Sequence, residues 1–518
     1  MTTTWEYNKN DKLAGNTWRE ITSDVLPGGY LTQGIFGYGP RDRVADIGKL
    51  VFYLNNSEAN SQSTLGYYYD GANSAEFVHG AVVRITITSG GSTRIYRFYI
   101  DKIEPVLGMY RERKVKVTCY DHIGVTSYMQ GPTTDLSPQG AAQEAYSIGI
   151  DAGSRVAPQN NSYDTGLDAN FPALYYNLSE DSNVNSAWQS ICESSLAYIY
   201  IIPDSTDGET WVYESRIERG GQLTYAAEFS DSDISNLTFP SKIDNAISDI
   251  TVDGEILVID SQATTELWAL SNEIELAAGE TKTFWVTFNS VDANEVYGDS
   301  IVTTLVANTH YRMSSVSGND GSDLNGSLSA TLTVSSWKDR AKWVLVNNSG
   351  STGYVNLLKV IGKGIYIYDA TQEEGFTSPI SRSAIGKNKY FYTYPYYLSD
   401  EMVTEIATLL ADKHSTGWTG GKLTLFPTKS SALMTKWMDT TIGSYVKVEE
   451  TIKDVDTSAP TDFYIQNEKV YFLGGGHIQV EYGLDYGDGL SNYLLVDPDG
   501  NYVVDPSANG IYGRGWIQ

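Results

Sequence analysis

The sequence predicts a mainly β, multidomain protein in which one strand series is used twice. Three observations carry this. Val82–Ile123 and Leu423–Tyr482 both fall into strand-length runs that alternate apolar and polar residues between Gly, Pro and Asp turns, the mark of antiparallel sheet with one wet face. The 518 residues exceed what one core supports, so roughly three or four domains are expected. The 38 Tyr and 48 Gly against 15 Pro suit strands and many turns, in a chain 41% hydrophobic and therefore globular. A part used twice suits a ring-building protein better than a catalyst.

Residues 1–135 read as β throughout. After a Gly/Pro-punctuated loop comes an apolar strand at Lys49–Leu54, and LGYYYDG then leads into the first series. There Val83, Ile85 and Ile87 share one face and Arg84, Thr86 and Thr88 the other, while Val115, Val117 and Cys119 oppose Lys114, Lys116 and Thr118. Residues 136–228 form a small α+β unit. Ser137 as N-cap and Pro138 at the first helical position predict a helix. A second helix fits Asn183–Leu196, where Val184, Trp188, Ile191, Cys192 and Ser195 recur at 3–4 spacing. AYIYIIPD, the turn Ser205–Gly208 and ETWVYESR then read as a hairpin.

Strand signals at 229–262 and again at 379–485 are assigned to one domain split by an insert. The insert, 263–378, holds roughly seven or eight short strands in about a hundred residues, the count expected of an immunoglobulin-like β-sandwich. Asn347–Gly353 reads as a hairpin turn in it, and the absence of Cys excludes an antibody-type core disulfide. A helix at Ser399–His414, with Met402, Ile406, Leu409 and Leu410 as its apolar face, precedes LTLFP, SYVKV, DFYI, KVYF and HIQVEY of the second series. The tail, 486–518, is Gly/Asp/Asn-rich, repeats V-D-P at Val496–Pro498 and Val504–Pro506, and reads as extended.

The formal charge of −28 argues against a basic-groove nucleic-acid binder at the level of the whole chain. Two readings of the acidity stay open: plain solubility, or a conduit wall past which DNA slides without sticking. Cys119 and Cys192 read as two buried thiols, too few for a disulfide scaffold or a zinc site. MTTTWEYNKNDK has no apolar signal core, and no run approaches the ~18 apolar residues of a membrane span. The N-x-S/T triplets at Asn177 and Asn236 then carry no meaning, and the reading is of a soluble protein made in a cytosol.

The chemistry of catalysis is not visible. His79, His122, His310, His414 and His477 are scattered, with no metal-ligand spacing, nucleophile elbow or Walker-type loop. GGGHIQV reads as a glycine turn between strands. Adjacent Glu373 and Glu374 point to opposite faces of a strand and make a poor acid/base pair. Asp497, Asp499, Asn501 and Asp505 alternate like calcium ligands, but the sixth position is Tyr502 and the twelfth Ala508, so a turn with solvated carboxylates is read there. Asn319–Ser327 is read the same way. The chain is therefore expected to be no enzyme, with no catalytic, cofactor-binding or metal-binding residues. Tyr67–Tyr69 and Tyr390–Tyr397 are open to two readings, subunit-interface packing or a carbohydrate-stacking surface.

The layout resembles the central hub proteins of phage tail tips and baseplates. RFYIDKIEPVLGMYRERKVKVTCYDHIGV, a strand, turn and strand closing on Cys-Tyr-Asp, is similar to that family's first barrel. NVNSAWQSICESSLAYIYIIPD is similar to its small α+β domain, and SAIGKNKYFYTYPYYLSDEMVTEIATLLADKH followed by TIGSYVKV to the start of its second barrel. The resemblance implies two tube-type β-barrel domains, 1–135 and 229–262 plus 379–485. It implies a homotrimer whose two barrels per subunit form a pseudo-sixfold ring. Such a ring would join distal tail or tail tube proteins above to a threefold spike or fibre below, with viral DNA in transient passage. The protein would be made in the host cytoplasm and reside in the virion tail tip. The inserted sandwich departs from the pattern and is assigned to contacts with neighbouring tail proteins or host glycans. The alternative is a receptor- or carbohydrate-binding virion protein, motivated by the sandwich and the Tyr-rich runs.

Overall fold

The computed structural model describes residues 1–8, 18–69, 77–107, 113–128, 183–206, 208–215, 224–239, 249–259, 264–289, 295–319, 321–334, 340–377, 389–394, 420–448 and 462–486, with short pieces at 139–140, 160–163, 170–171, 218–219, 222, 247, 407, 410 and 413–414. The chain is mainly β and multidomain.

Both strand series lie in one 13-stranded sheet. Thr2–Asn8, Val82–Ser89, Ser92–Leu107, Arg113–Tyr120, Lys49–Asn55 and Val25–Gly34 follow one another across it, each antiparallel to the next. Val25–Gly34 then pairs with Asp462–Gly474, in register from Gly34↔Asn467 to Gly29↔Phe472. His477–Tyr486, Gly421–Leu425 and Ile234–Thr238 complete the line. Tyr445–Val448 and Ala227–Phe229 branch from Asp462–Gly474. The two predicted copies are thus neighbours in a continuous sheet. Their alternation sends Leu31, Leu50, Phe52, Val117, Val470, Val480 and Leu423 into one core.

Two glycine sites make this geometry possible. Gly474, Gly475 and Gly476 have φ of 88°, 62° and 79°, the left-handed region that lets the predicted GGGH turn reverse the chain. Gly34, at the join between the series, has φ 103°, and a Cβ there would sit 2.5 Å from the Gln466 carbonyl oxygen.

Between residues 183 and 214 the expected helix and hairpin form. Asn183 caps the helix Val184–Ser195 by accepting from the Ser186 N–H, and Leu196 ends it at φ 53°. Tyr198–Ile202 and Thr210–Glu214 make the hairpin, joined in parallel by Asn160–Tyr163. The helix expected from Ser137 meets a correction where it is described: Gln139–Gly140 pairs antiparallel with Asn170–Phe171. A strand partner outweighs weak helix propensity at Gly140. The rest of that segment lies outside the described residues. Of Ser399–His414, the described positions Ala407, Leu410, Lys413 and His414 are helical. A further helix, Ser431–Asp439, capped by Ser430 and burying Leu433, Met434 and Trp437, interrupts what was read as strand and turn only. The tail, 487–518, lies outside the described residues.

In the insert, Thr281–Thr287, Arg340–Asn347 and Leu328–Val334 form a three-stranded sheet. Its inner face, with Val286, Trp343, Leu345 and Leu332, packs on Leu267, Met313, Val355, Leu358 and Val360 of a second sheet. That sheet is organised by the long strand Gly353–Thr377. Asn347 is buried in the expected hairpin turn, its Nδ2 donating to the carbonyls of Leu276, Ala277 and Ser351 at 3.0, 3.1 and 2.9 Å. The far end of Gly353–Thr377 pairs with Asp249–Ile259, which runs parallel to Lys389–Tyr394. Asp249–Ile259, grouped with the second series from sequence, therefore belongs to the sheet of the insert.

Candidate functional site: a shared sheet face braced by buried ions

The register carries single rows of side chains across both strand series. One runs Lys102, Thr118, Val51, Tyr30, Tyr471, Gln479; the next runs Tyr120, Lys49, Thr32, Lys469, Glu481, Thr424. These positions alternate with the core residues and so share the other face of the sheet, on which Val51, Thr118 and Thr424 are buried and the rest half-buried or exposed. At the join, the Lys469 ammonium lies 5.4 Å from the Tyr30 ring centroid and 4.8 Å from that of Tyr471, both within cation–π range. Lys114, Lys116 and Lys422 fall on the same face by alternation, opposed by Glu104 and Glu481. Glu104 pairs with Lys102 at 2.8 Å and Glu481 with Lys422 at 2.8 Å. In a chain of charge −28 this face carries more lysine than acid. It suits contact with an anionic surface.

Three buried ion clusters hold the sheet and the α+β unit together. Glu468, fully buried, accepts from Arg94 Nη2 at 2.8 Å, the Tyr96 hydroxyl at 2.9 Å and Trp437 Nε1 at 2.9 Å. Arg94 Nη1 also donates to the carbonyls of Trp437 and Thr440, each at 2.7 Å. The first series is thereby pinned to the helix Ser431–Asp439 of the second. Burial alone would lower the Arg94 pKa, but the Glu468 carboxylate outweighs it and holds the guanidinium charged.

The second cluster surrounds Glu209, also fully buried. It accepts from the Tyr99 hydroxyl at 3.0 Å, with Arg97 Nε at 3.6 Å and His122 Nδ1 at 3.1 Å. Burial would raise the pKa of Glu209, but the close approach of His122, then Arg97 and the Tyr99 hydroxyl, brings it below the ordinary value. Its neighbour Asp121 caps the helix His122–Thr126 through the Gly124 N–H. Burial pushes Asp121 up to about 7, against the bonds it accepts from the Gly124 and Gly48 backbones.

The third cluster centres on Arg219, which donates to Glu214 Oε2 at 3.0 Å and Gln466 Oε1 at 2.7 Å and lies 3.4 Å from Asp485. Lys413 pairs with Asp485 at 2.7 Å. The guanidinium sits between the rings of Tyr198 and Tyr464, at 4.1 and 4.5 Å. Burial, and then the Lys413 charge, bring His414 down to about 3, so it is neutral. Glu209 and Glu214 stand at the two ends of the strand Thr210–Glu214, Glu209 meeting the first series directly and Glu214 reaching the second through Arg219, which donates to Gln466. The α+β unit is a brace across the join.

The structure scatters the histidines weighed from sequence. His79 pairs with the Asp101 carbonyl, His310 accepts from the Val306 N–H, and His477 is exposed on the glycine turn. Cys119 and Cys192 are free and buried, in separate cores. The surface readings of Tyr67–Tyr69 are corrected in part. Tyr68 is fully buried, its hydroxyl donating to Asp24, and Tyr67 packs edge-on against it, leaving Tyr69 exposed. Of Tyr390–Tyr397, Phe391 is exposed on the strand Lys389–Tyr394, while 395–397 lie outside the described residues, as do Asp497–Asp505. Within Asn319–Ser327, Asp323 Oδ1 accepts from the Asn325 N–H, which is turn chemistry. Among the described residues no group of His, Cys, Asp and Glu is placed to hold a metal ion, and no helix is long and apolar enough to cross a membrane. Sequence reasoning missed Arg94, Glu209, Glu214, Arg219 and Glu468. The usable signal was a charge at a position with core parity, as in QNEKVYF.

The tail protein from Neisseria meningitidis is similar in structure, with a TM-score of 0.50 at 10% identity over 95% of this chain and 98% of that one. The 43 kDa tail protein of prophage MuSo2 from Shewanella oneidensis gives 0.46 at 8% identity, covering 94% and 97%. The prophage tail protein gp18 from Listeria monocytogenes gives 0.41 at 7%, covering 93% and 94%. No protein-family model and no curated protein matches the chain. At 10% identity the first likeness establishes a shared fold.

Proposed function

We propose, from a fold shared with a phage tail protein, that this chain is a non-enzymatic structural protein of a virion tail, a trimeric hub of the tip or baseplate. The observation that carries it is the single sheet running through both strand series. Two like parts held edge to edge by Gly34 and the Glu468 cluster give each subunit two rigid segments, so three subunits supply six. That is the geometry needed to join a sixfold tube to a threefold spike or fibre, with viral DNA passing through. The lysine-rich wet face is a seat for an acidic neighbour, either a second copy of this −28 chain or a tube protein, more than a slippery wall. The acidity of the whole chain is then a matter of solubility. Mass measurement and negative-stain imaging of the purified chain test this. Trimers or rings are expected, and a stable monomer at all concentrations overturns it.

A second reading, a receptor- or carbohydrate-binding tip protein, is favoured by one observation: Trp285 of the insert is 54% exposed.

A further inference from the structure

On the face shared by both strand series, Lys49 and Lys469 stand in one row, each directly beside Thr32 on the strand between them. Two strand spacings put their backbones roughly 10 Å apart. Both are half-buried, as are Tyr30 and Tyr471, whose ring centroids lie 5.4 and 4.8 Å from the Lys469 ammonium. The acids of this face are already used: Glu104 pairs with Lys102 and Lys116, and Glu481 with Lys422. Among the described residues no carboxylate pairs with Lys49 or Lys469.

The sequence supplies a matching acidic segment. From Gly487 to Gly513 it holds Asp488, Asp497, Asp499 and Asp505 and no Lys or Arg. Asp497 and Asp505 are the centres of the two V-D-P repeats. A residue before proline is restricted to extended backbone, and extended backbone sets residues two apart on one side, about 7 Å from each other. Long lysine stems span the difference from roughly 10 Å. The distance to be covered is also within reach. Tyr486 ends its strand five residues beyond Glu481, the neighbour of Lys469 in the row. Asp497 has ~36 Å of extended chain to cover about 17 Å along the strands and about 14 Å across them to Lys49.

We propose that Val496–Pro506 lies across this row as a strap, with Asp497 and Asp499 pairing with the ammoniums of Lys469 and Lys49 of the same chain. The tether favours this occupant over any free one, because a short linker holds its acids at an effective concentration in the millimolar range. A half-buried lysine held over aromatic rings also loses less side-chain freedom on pairing than an exposed one. The inference rests on the reading of this face as a seat for an acidic neighbour. It narrows that neighbour to a separate protein of the tail, which takes the seat by displacing the strap.

The test is carbodiimide cross-linking of the purified full chain, mixed from unlabelled and heavy-isotope-labelled copies and read by peptide mass spectrometry. Bonds from Lys49 or Lys469 to Asp497, Asp499 or Asp505 within one copy are expected. Their absence, or bonds only between labelled and unlabelled copies, overturns the proposal. A second arm exchanges the three carboxylates together, Asp497→Asn, Asp499→Asn and Asp505→Asn, which touches no strand of the sheet. Acetylation of Lys49 and Lys469 should then quicken at least about fivefold, while that of the exposed Lys102 stays as in the parent. Equal rates at Lys49 and Lys469 in parent and variant overturn it as well. The mass of the assembly is recorded alongside. Trimers without these bonds leave the hub standing and remove the strap, and monomers that carry them do the reverse.

Discussion

The body and the insert both hold sheets together, with opposite chemistry. In the body, three joints between remote segments each contain a buried charge: Glu468 with Arg94, Glu209 with Arg97 and His122, Arg219 with Glu214 and Asp485. In the insert the described residues show no buried ion pair, and the core is Trp343, Leu345, Val355, Leu358 and their neighbours. Buried polar side chains such as Asn347 serve turns there. A buried pair stabilises no more than a well-packed apolar one, but losing one partner strands the other charge in the core. Apolar contacts tolerate rearrangement; the ion clusters accept one geometry. The difference teaches that the body is built for a fixed arrangement of parts far apart in sequence, and the insert for stability within itself.

The comparison breaks most readily at Glu468. Glu468→Ala should strand Arg94 at a cost of about 3–5 kcal/mol, with amide protection falling in both Ser92–Leu107 and Ser431–Asp439. Protection of Arg340–Asn347 should not change, and equal loss there would end the contrast. Trp343→Ala is the mirror experiment: about 3–5 kcal/mol, read as a lost denaturation transition of the insert while the mass of the particle in solution stays as in the parent. Gly34→Ala should cost about 1–3 kcal/mol, because the new Cβ meets backbone at the join between the series. Unchanged exchange at Val25–Gly34 and Asp462–Gly474 would show the join to be plastic.

The smallest effect is a pH profile. The folded-state pKa of Asp121, about 7, lies above the ordinary 3.8, so its contribution to stability is full below the ordinary value and lost as pH rises through about 7. Glu209 has the opposite sign, its contribution being lost as pH falls. His414 likewise loses its contribution as pH drops from its ordinary 6.5 towards about 3. Asp121→Asn isolates the first of these: its melting temperature should gain on the parent as pH rises from about 5 to about 8. A constant difference across that range would mean the Asp121 carboxyl is solvated.

Local signals were legible in the sequence. Alternation of Val115 and Val117 with Lys114 and Lys116 gave both strand and faces, and Asn183 with Trp188 and Ile191 gave a helix, because each is decided within a few residues. The pairing of Gly29–Gly34 with Asn467–Phe472 was not, since strands so far apart in sequence carry no mutual mark until they meet. The helix at Ser431–Asp439 is short enough to hide among strands. The site suffered from averaging. A charge of −28 conceals a face that carries Lys49, Lys116 and Lys469, although alternation had already set Lys114 and Lys116 on it.

The paired ribbon at the root of the insert has an evolutionary consequence. Asp249–Ile259 leaves the body and Gly353–Thr377 returns beside it, with Gly254 directly opposite Gln372. Everything between those two positions can be cut away or exchanged by bridging one antiparallel step, without moving a strand of the 13-stranded sheet. A lineage can therefore trade the inserted module by recombination at a single place and keep the 13-stranded sheet as it is.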